Sequence, residues 1–184
     1  MFKIGITGSI ASGKTTVAKI LAPDQKKIFN ADKVVKDIYK KKSFHELIKS
    51  KFKIKKKENL GNEIKILINK DKRNLKKIEK LVHPFVRSKM IKSLKNKKIK
   101  FFEIPLLIEN KLDKYFNVII TVTAKKSLRV KRFKKRGGNQ KIFTILEKRQ
   151  LQIEKKINKS HFVIYNNSSY KNLKKRLINL KKIL

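Results

Sequence analysis

The segment GITGSIASGKTT, residues 5–16, decides the fold of this 184-residue chain. Gly8 and Gly13 enclose four residues, and Lys14 and Thr15 follow at once, so the segment matches G-x-x-x-x-G-K-[ST] at every fixed position. The residues before it predict a short buried strand, and those after it predict a helix. A glycine-rich loop in that context turns successive backbone N–H groups toward one anion. The sequence therefore predicts a phosphate-binding loop that holds a nucleoside triphosphate.

Each residue type in the loop suits a phosphate ligand. Lys14 can reach the β- and γ-phosphates, and the Thr15 hydroxyl can ligate Mg²⁺. The predicted nucleotide-binding residues are Ala11, Ser12, Gly13, Lys14, Thr15 and Thr16.

The composition, with 40% apolar residues, favours a packed fold with a basic surface. Lys and Arg number 52 against 13 Asp and Glu, for a formal net charge of +39. Only seven of these cations are arginines, the residue that proteins favour for gripping phosphate, and the lysines extend along the whole chain. We therefore expect a solvated lysine surface, with nucleic-acid binding left open as a rival function. The absence of cysteine excludes disulfides, and without a signal peptide or a long apolar run we expect a cytoplasmic location.

Strand and helix patterns alternate along the chain, which predicts an α/β fold with a five-stranded parallel sheet covered on both faces. The predicted strands are FKIGIT, KKIFNAD, IKFFEIPLL, YFNVIITVTA and HFVIYNN. Among the helices, one is predicted to begin at His83-Pro84, and residues 139–159 to form one continuous helix. Ser43 is predicted to cap a helix, with Glu46 completing a capping box. EIKILI, residues 63–68, fits a helix or a strand.

One motif near the centre is not the guanine-reading loop of a GTPase. That loop has the form N-K-x-D, whereas Asn69-Lys70-Asp71 places the acid one residue early. A small kinase is the class of P-loop protein that remains.

The chain resembles the dephospho-CoA kinases over nearly its whole length. Besides the P-loop, the segments that carry the resemblance are NAD (30–32), LVHPFV (81–86), EIPLLIEN (103–110), RVKRFKKR (129–136), RQLQIEKK (149–156) and FVIYNNSS (162–169). The resemblance implies a three-layer P-loop fold, a shortened helical acceptor-binding insertion at about 40–98 and a lid at about 129–150, within a single domain over 1–184. It also implies transfer of phosphate from ATP, with Mg²⁺, to the 3′-hydroxyl of dephospho-CoA.

On the acceptor side the resemblance gives Asp32 the role of catalytic base. The family usually writes this segment D-A-D, whereas this chain has Asn30-Ala31-Asp32. Asp32 follows the end of a predicted strand, where α/β sheets bind ligands. A helix N-cap is the alternative role of Asp32.

Four further positions are assigned by resemblance. His83 and Glu109 are predicted to bind the acceptor, with a helix cap as the alternative for His83. Glu103 is predicted to hold an Mg²⁺-bound water or to stabilise a turn. Asn167 is predicted to lie near the adenine of ATP.

Arg132 and Arg136 are predicted to be lid residues that act in catalysis. They are four residues apart in a predicted helix that ends at Gly137-Gly138, so they share one face. Such a pair can neutralise charge on the transferring phosphate. A basic solvated face is the alternative, and a nucleoside or nucleotide kinase is the nearest rival function, since it shares the P-loop and the lid.

Overall fold

The computed structural model describes residues 2–54, 63–64, 66–67, 71 and 73–184. Its sheet has five strands, in the spatial order β2-β3-β1-β4-β5. β1 pairs in parallel with β3 and β4, and β4 pairs in parallel with β5. The strands are β1 (Ile4–Gly8), β2 (Ile28–Asn30), β3 (Phe101–Glu103), β4 (Val118–Thr123) and β5 (Phe162–Tyr165). The five-stranded parallel sheet predicted from the sequence is confirmed.

Helices follow the strands in the manner of an α/β fold. Their bounds are α1 (Lys14–Leu21), α2 (Ala31–Tyr39), α3 (Lys42–Phe52), α4 (Arg73–Lys95), α5 (Lys126–Lys135), α6 (Gln140–Lys148), α7 (Ile153–Ile157) and α8 (Tyr170–Ile183). Short 3₁₀ turns lie at Gln25–Lys27 and Asp113–Tyr115. Among the described residues, no helix has both the length and the apolar character needed to cross a bilayer.

Successive side chains of the central strands point to opposite faces of the sheet, and the two faces are covered by different residues. Ile4 and Ile6 of β1 join the hydrophobic cluster that also includes residues of α1 and α8. Thr7, on the opposite face of β1, donates a hydrogen bond of 3.0 Å to the carbonyl of Pro105. Thr121 of β4 likewise bonds the hydroxyl of Ser160, just after α7, at 2.6 Å. The sheet therefore lies between two layers, as predicted.

The chain forms two compact units. The first comprises Met1–Phe29 and Asn96–Leu184, and the second comprises Asn30–Lys95. The second unit has its own core, formed by buried residues of α2, α3 and α4 together with Ile64. Phe44 and Ile48, on consecutive turns of α3, are almost fully buried there.

Three local predictions were wrong. α4 begins at Arg73 and continues through Pro84, because burial of Ile78 and Val82 favours the helix over the local break that proline causes. Ser43 lies inside α3, whose N-cap is Lys41 with no side-chain hydrogen bond.

The region predicted as one helix over 139–159 is divided into α6 and α7. Residues 149–152 lie between them. In a continuous helix the backbone N–H of Leu151 would bond a carbonyl one turn earlier, whereas here it donates to Oε1 of Glu109. In EIKILI the described residues Glu63, Ile64, Ile66 and Leu67 are helical, which favours the helix of the two alternatives. Lys65 and Ile68, and residues 69 and 70 of the excluded guanine-reading motif, lie outside the described residues.

Candidate active site

The phosphate-binding loop joins β1 to α1, and its backbone takes conformations that side chains resist. Gly8 and Gly13 have φ of 138° and 99°, and Ala11 has φ of 54°. A Cβ at Gly8 would collide with the carbonyl of Val122, and one at Gly13 would collide with Nδ2 of Asn166. Gly8 therefore allows a close approach to the backbone of β4, and Gly13 allows a left-handed conformation beside the Asn166 amide.

Lys14 is folded over the loop that it follows. Its ammonium donates hydrogen bonds to the carbonyl oxygens of Ser9 at 2.9 Å and Gly8 at 3.3 Å, and its side chain is buried. The cation is thus held at the loop, where the phosphates of a nucleotide would bind.

Thr15 meets a carboxylate from a neighbouring strand. Its hydroxyl donates to Oε1 of Glu103 at 2.6 Å, and Glu103, the last residue of β3, is 2% exposed. The parallel pairing of β1 with β3 places these two residues at the same edge of the sheet. Of the two roles predicted for Glu103, this contact favours the role near a Mg²⁺ ion, since Thr15 is the residue predicted to bind that ion.

The donor set suits Mg²⁺, which prefers oxygen ligands and is usually bound by one or two protein groups together with water and phosphate oxygens. The hydroxyl of Thr15 and the carboxylate of Glu103 are such groups, within hydrogen-bond distance of each other. The described residues contain no cluster of three His, Cys, Asp or Glu that would bind a metal without a nucleotide.

Asn166, immediately after β5, holds the loop from the side of the sheet. Its Nδ2 donates to the carbonyl of Ser12 at 2.8 Å, and its backbone N–H donates to the carbonyl of Thr123 at 2.7 Å. The residue is 6% exposed. Sequence reasoning selected its neighbour Asn167, since nothing local in the sequence shows which of the two amides faces the loop.

Asn167 itself is exposed and binds the residue that precedes α5. Its Oδ1 accepts a hydrogen bond of 2.8 Å from the backbone N–H of Lys125, the N-cap residue of α5. The predicted contact with adenine remains a prediction, because this bond describes only the link between β5 and α5.

Arg132 of α5 lies against the loop and against the end of β5. Its guanidinium donates to the carbonyls of Asn166 at 3.0 Å and Ser12 at 3.4 Å. Burial lowers the pKa of Arg132, and the charge of Arg136 lowers it further. Arg136 ends the helix, and its side chain is exposed. Of the two predicted lid arginines, Arg132 is therefore the one in contact with the loop.

Arg129, one turn earlier, ties the helices of the predicted lid together. Its guanidinium bonds the carbonyl of Ala124 at 3.0 Å and Oε1 of Glu147 on α6 at 2.8 Å. Lys126 forms a second ion pair with Glu147 at 2.9 Å. Burial raises the pKa of Glu147, but the hydrogen bonds from Lys126 and Arg129 outweigh burial and lower it overall.

On the acceptor side, Asn30 and not Asp32 caps α2. Oδ1 of Asn30 accepts a hydrogen bond of 2.8 Å from the N–H of Lys33. Asparagine is a strong N-cap residue, so Asn30 performs a structural role that does not need the acid usual in the family. Asp32 lies exposed in the first turn of the helix. The alternative role of Asp32 as an N-cap was wrong.

The two residues predicted to bind the acceptor have different surroundings. His83 is exposed on α4, one residue before Pro84, and the helix-cap alternative fails because the helix continues through it. Glu109 is largely buried and forms an ion pair with Lys156 at 2.8 Å. Its contacts are internal to the protein and give no support to a direct role in acceptor binding.

These features define a class. The P-loop between the first strand and the first helix, the Thr15–Glu103 oxygen pair and the contact of Arg132 on α5 with the loop are features of the P-loop phosphotransferases, which are built on a parallel α/β sheet.

Comparison with known proteins identifies the family. The family model for dephospho-CoA kinase matches residues 2–172. The dephospho-CoA kinase of Fusobacterium nucleatum is 37% identical over 95% of this chain and 94% of its own length, and that of Rickettsia bellii is 33% identical over 98% and 96%. The crystal structure of TT1252 from Thermus thermophilus superimposes with a TM-score of 0.80 at 28% identity, covering 100% of this chain and 97% of that one. The chain belongs to the dephospho-CoA kinase family.

Proposed function

We propose that this protein transfers the γ-phosphate of ATP to the 3′-hydroxyl of dephospho-CoA, giving coenzyme A and ADP. The observation that carries the proposal is the site at Thr15, where a P-loop hydroxyl and the buried Glu103 carboxylate meet at 2.6 Å in a chain of this family. Neither a nucleotide kinase nor a nucleic-acid-binding function is favoured by a contact of the described residues. We also propose a cytoplasmic location for the protein, because the reaction uses ATP.

Five groups of this chain would bind and polarise the phosphates. Backbone N–H groups over residues 11–16 and the Lys14 ammonium would bind the β- and γ-phosphates. Thr15, with Glu103 beside it, would hold Mg²⁺, which neutralises phosphate charge when bound. Arg132 would leave its carbonyl partners for phosphate oxygens, which a planar guanidinium binds in pairs. Arg136 would add a second positive charge to the lid.

Asp32 would receive the proton of the attacking hydroxyl. The ribose oxygen forms a bond to the γ-phosphorus, the bond from that phosphorus to the β–γ bridging oxygen breaks, and ADP leaves. The hydroxyl proton goes to the Asp32 carboxylate, whose exposure in the first turn of α2 leaves it accessible to the acceptor. The helical region at about 40–98 would bind dephospho-CoA, with His83 among its contacts, and the region at about 129–150 would act as the lid.

The test is the acceptor dependence of ADP formation. Dephospho-CoA is compared with nucleoside monophosphates and with shikimate as acceptors, at fixed ATP and Mg²⁺, and the product is verified as coenzyme A. We expect turnover with dephospho-CoA alone. A nucleoside monophosphate that supports faster turnover would overturn the proposal in favour of a nucleotide kinase.

Asp32→Asn tests the base. We expect kcat to fall by about 10²–10⁴-fold with unchanged ATP affinity, since the carboxylate acts on the acceptor and not on the nucleotide. Asp37→Asn, the same change at an exposed position of the same helix, is the control and should keep full turnover. A loss of less than about threefold in Asp32→Asn would remove the base assignment.

A further inference from the structure

Lys156 is a buried cation beneath the nucleotide-binding edge of the first unit. It is 1% exposed, and its ammonium contacts Oε1 of Glu109 at 2.8 Å and the carbonyl of Pro105 at 3.0 Å. Burial lowers the pKa of Lys156, and the hydrogen bond and charge of Glu109 oppose that effect. The same Pro105 carbonyl accepts the hydroxyl of Thr7 on β1. The ion pair is thus fastened to the central strand that leads into the phosphate-binding loop.

Glu109 also binds the residues between α6 and α7. Its Oε1 accepts a second hydrogen bond, of 3.0 Å, from the backbone N–H of Leu151. Its Oε2 is buried and has no hydrogen-bond partner in the described part of the chain. Both polar contacts of the carboxylate therefore pass through one oxygen, which fixes the position of residues 149–152, the connection between the two helices.

The connection reaches the phosphate-binding loop through the side chain of Gln150. Oε1 of Gln150 accepts a hydrogen bond of 2.8 Å from the backbone N–H of Ile10, the third residue of the motif. Asn166 binds the same loop at the carbonyl of Ser12. The loop is therefore held at Ile10 as well as at Ser12, and the Gln150 contact depends on where the connection lies.

We infer that Glu109 and Lys156 are positioning residues for ATP: they fix the 149–152 connection so that Gln150 holds the phosphate-binding loop at Ile10. The inference rests on the proposed use of this loop for ATP. It gives Glu109 a role in the reaction that is exerted through the loop and not through the acceptor.

Stability alone does not account for such a pair. Removing two charges from water costs about what their attraction returns, and well-packed apolar residues of similar size often replace a buried ion pair without loss. An apolar replacement, however, offers no acceptor to the N–H of Leu151. Stability and loop position can therefore be separated by mutation.

The experiment compares two variants in which these effects are opposed. Glu109→Gln keeps an Oε1 for both Leu151 and Lys156 but leaves the Lys156 charge unpaired, so we expect a lower unfolding temperature and an ATP Kd within about twofold of wild type. The double variant Glu109→Leu with Lys156→Met removes both charges and the acceptor. We expect near-normal unfolding and an ATP Kd raised about threefold to tenfold, which is the effect of one lost neutral hydrogen bond.

Gln150→Leu completes the design. It should raise the ATP Kd as much as the double variant does, and adding it to the double variant should raise the Kd no further, because both changes remove the same contact with Ile10. Gln152→Leu and Lys155→Met, matched changes at exposed neighbours, serve as controls. The Kd is measured by calorimetry with ATP and Mg²⁺ and no acceptor, so it is informative even if dephospho-CoA proves not to be the substrate.

Two results would overturn the inference. One is a double variant that binds ATP as tightly as wild type. The other is an ATP Kd that follows the unfolding temperature across all variants, which would make the pair a purely structural element.

Discussion

Asn166 is the residue whose chemistry most constrains the phosphate-binding loop. Its amide must donate to the Ser12 carbonyl at 2.8 Å, and a carboxylate has no donor at neutral pH. We expect Asn166→Asp to weaken ATP binding at least about tenfold, or roughly 1.4 kcal/mol, because two oxygens would face each other and a negative charge would be added beside the phosphates. ATP titration calorimetry measures the change.

The control for this prediction is Asn179→Asp, which makes the same chemical change at an exposed position of α8. It should bind ATP as wild type does. Equal losses in both variants would trace the effect to net charge and would remove the clamp role of Asn166.

Thr15 permits a test of the metal site by nearly isosteric changes. Thr15→Val keeps the shape of the side chain but removes the hydroxyl that bonds Glu103, whereas Thr15→Ser keeps the hydroxyl. We expect the valine variant to require at least about tenfold more Mg²⁺ for half-maximal turnover and the serine variant about the same as wild type. A Mg²⁺ titration of steady-state turnover that gave identical midpoints for all three proteins would exclude Thr15 as a metal ligand.

At the scale of the element, α5 and α6 depend on one carboxylate for their ionic connection. Glu147 has a pKa lowered below its usual value of 4.5, because the bonds from Lys126 and Arg129 outweigh burial. A group with a depressed folded-state pKa contributes stability above its unfolded pKa and loses it as pH falls through the folded value. The acid side of the stability profile therefore reports this contact.

We expect the wild-type free energy of unfolding to fall more steeply from about pH 5 to about pH 3 than that of Glu147→Gln, since the amide does not titrate. Denaturant unfolding at several pH values measures both slopes. Glu154→Gln, at an exposed position of α7, provides the reference for loss of a solvated carboxylate. Parallel slopes for wild type and Glu147→Gln would show that the pairing adds nothing in solution.

Elements that depend on local sequence were predictable, and those that depend on distant partners were not. The P-loop and the five strands follow from spacing and runs of apolar residues within a few positions. α4 was cut short in the prediction because Pro84 is a local signal for a break, whereas burial of Ile78 and Val82 is not visible locally. The connection at 149–152 was missed because its partners, Ile10 and Glu109, are remote in sequence.

The same distinction applies to the site. Lys14 and Thr15 could be selected from the sequence because a motif of eight residues contains both of them and sets their spacing. Asn166 contacts Ser12 across 154 positions, so its role follows only from the arrangement of β5 beside β4. Asn30 is an intermediate case. Helix capping depends on local sequence, but the sequence did not show whether Asn30 or Asp32 is the N-cap, because that depends on where α2 begins.

At the scale of the whole molecule, the net charge of +39 raises the question of a second, electrostatic function. Binding to a polyanion follows the number of phosphates that lysines neutralise, and it weakens steeply between about 50 and 200 mM salt. The proposed catalysis depends instead on particular groups such as Lys14. The two functions therefore predict opposite responses to mutation.

We expect Lys14→Ala to abolish phosphorylation of dephospho-CoA while leaving duplex RNA affinity unchanged, because one buried lysine adds little to the surface field. The triple change of Lys171, Lys174 and Lys175 to Gln removes exposed charge from α8 and should keep full turnover while reducing any RNA affinity and its salt dependence. Turnover and RNA binding are measured on the same preparations at matched salt. RNA binding that persists at high salt, or that is lost in Lys14→Ala, would contradict a purely electrostatic and non-specific association, because counterion release cannot distinguish one lysine from another.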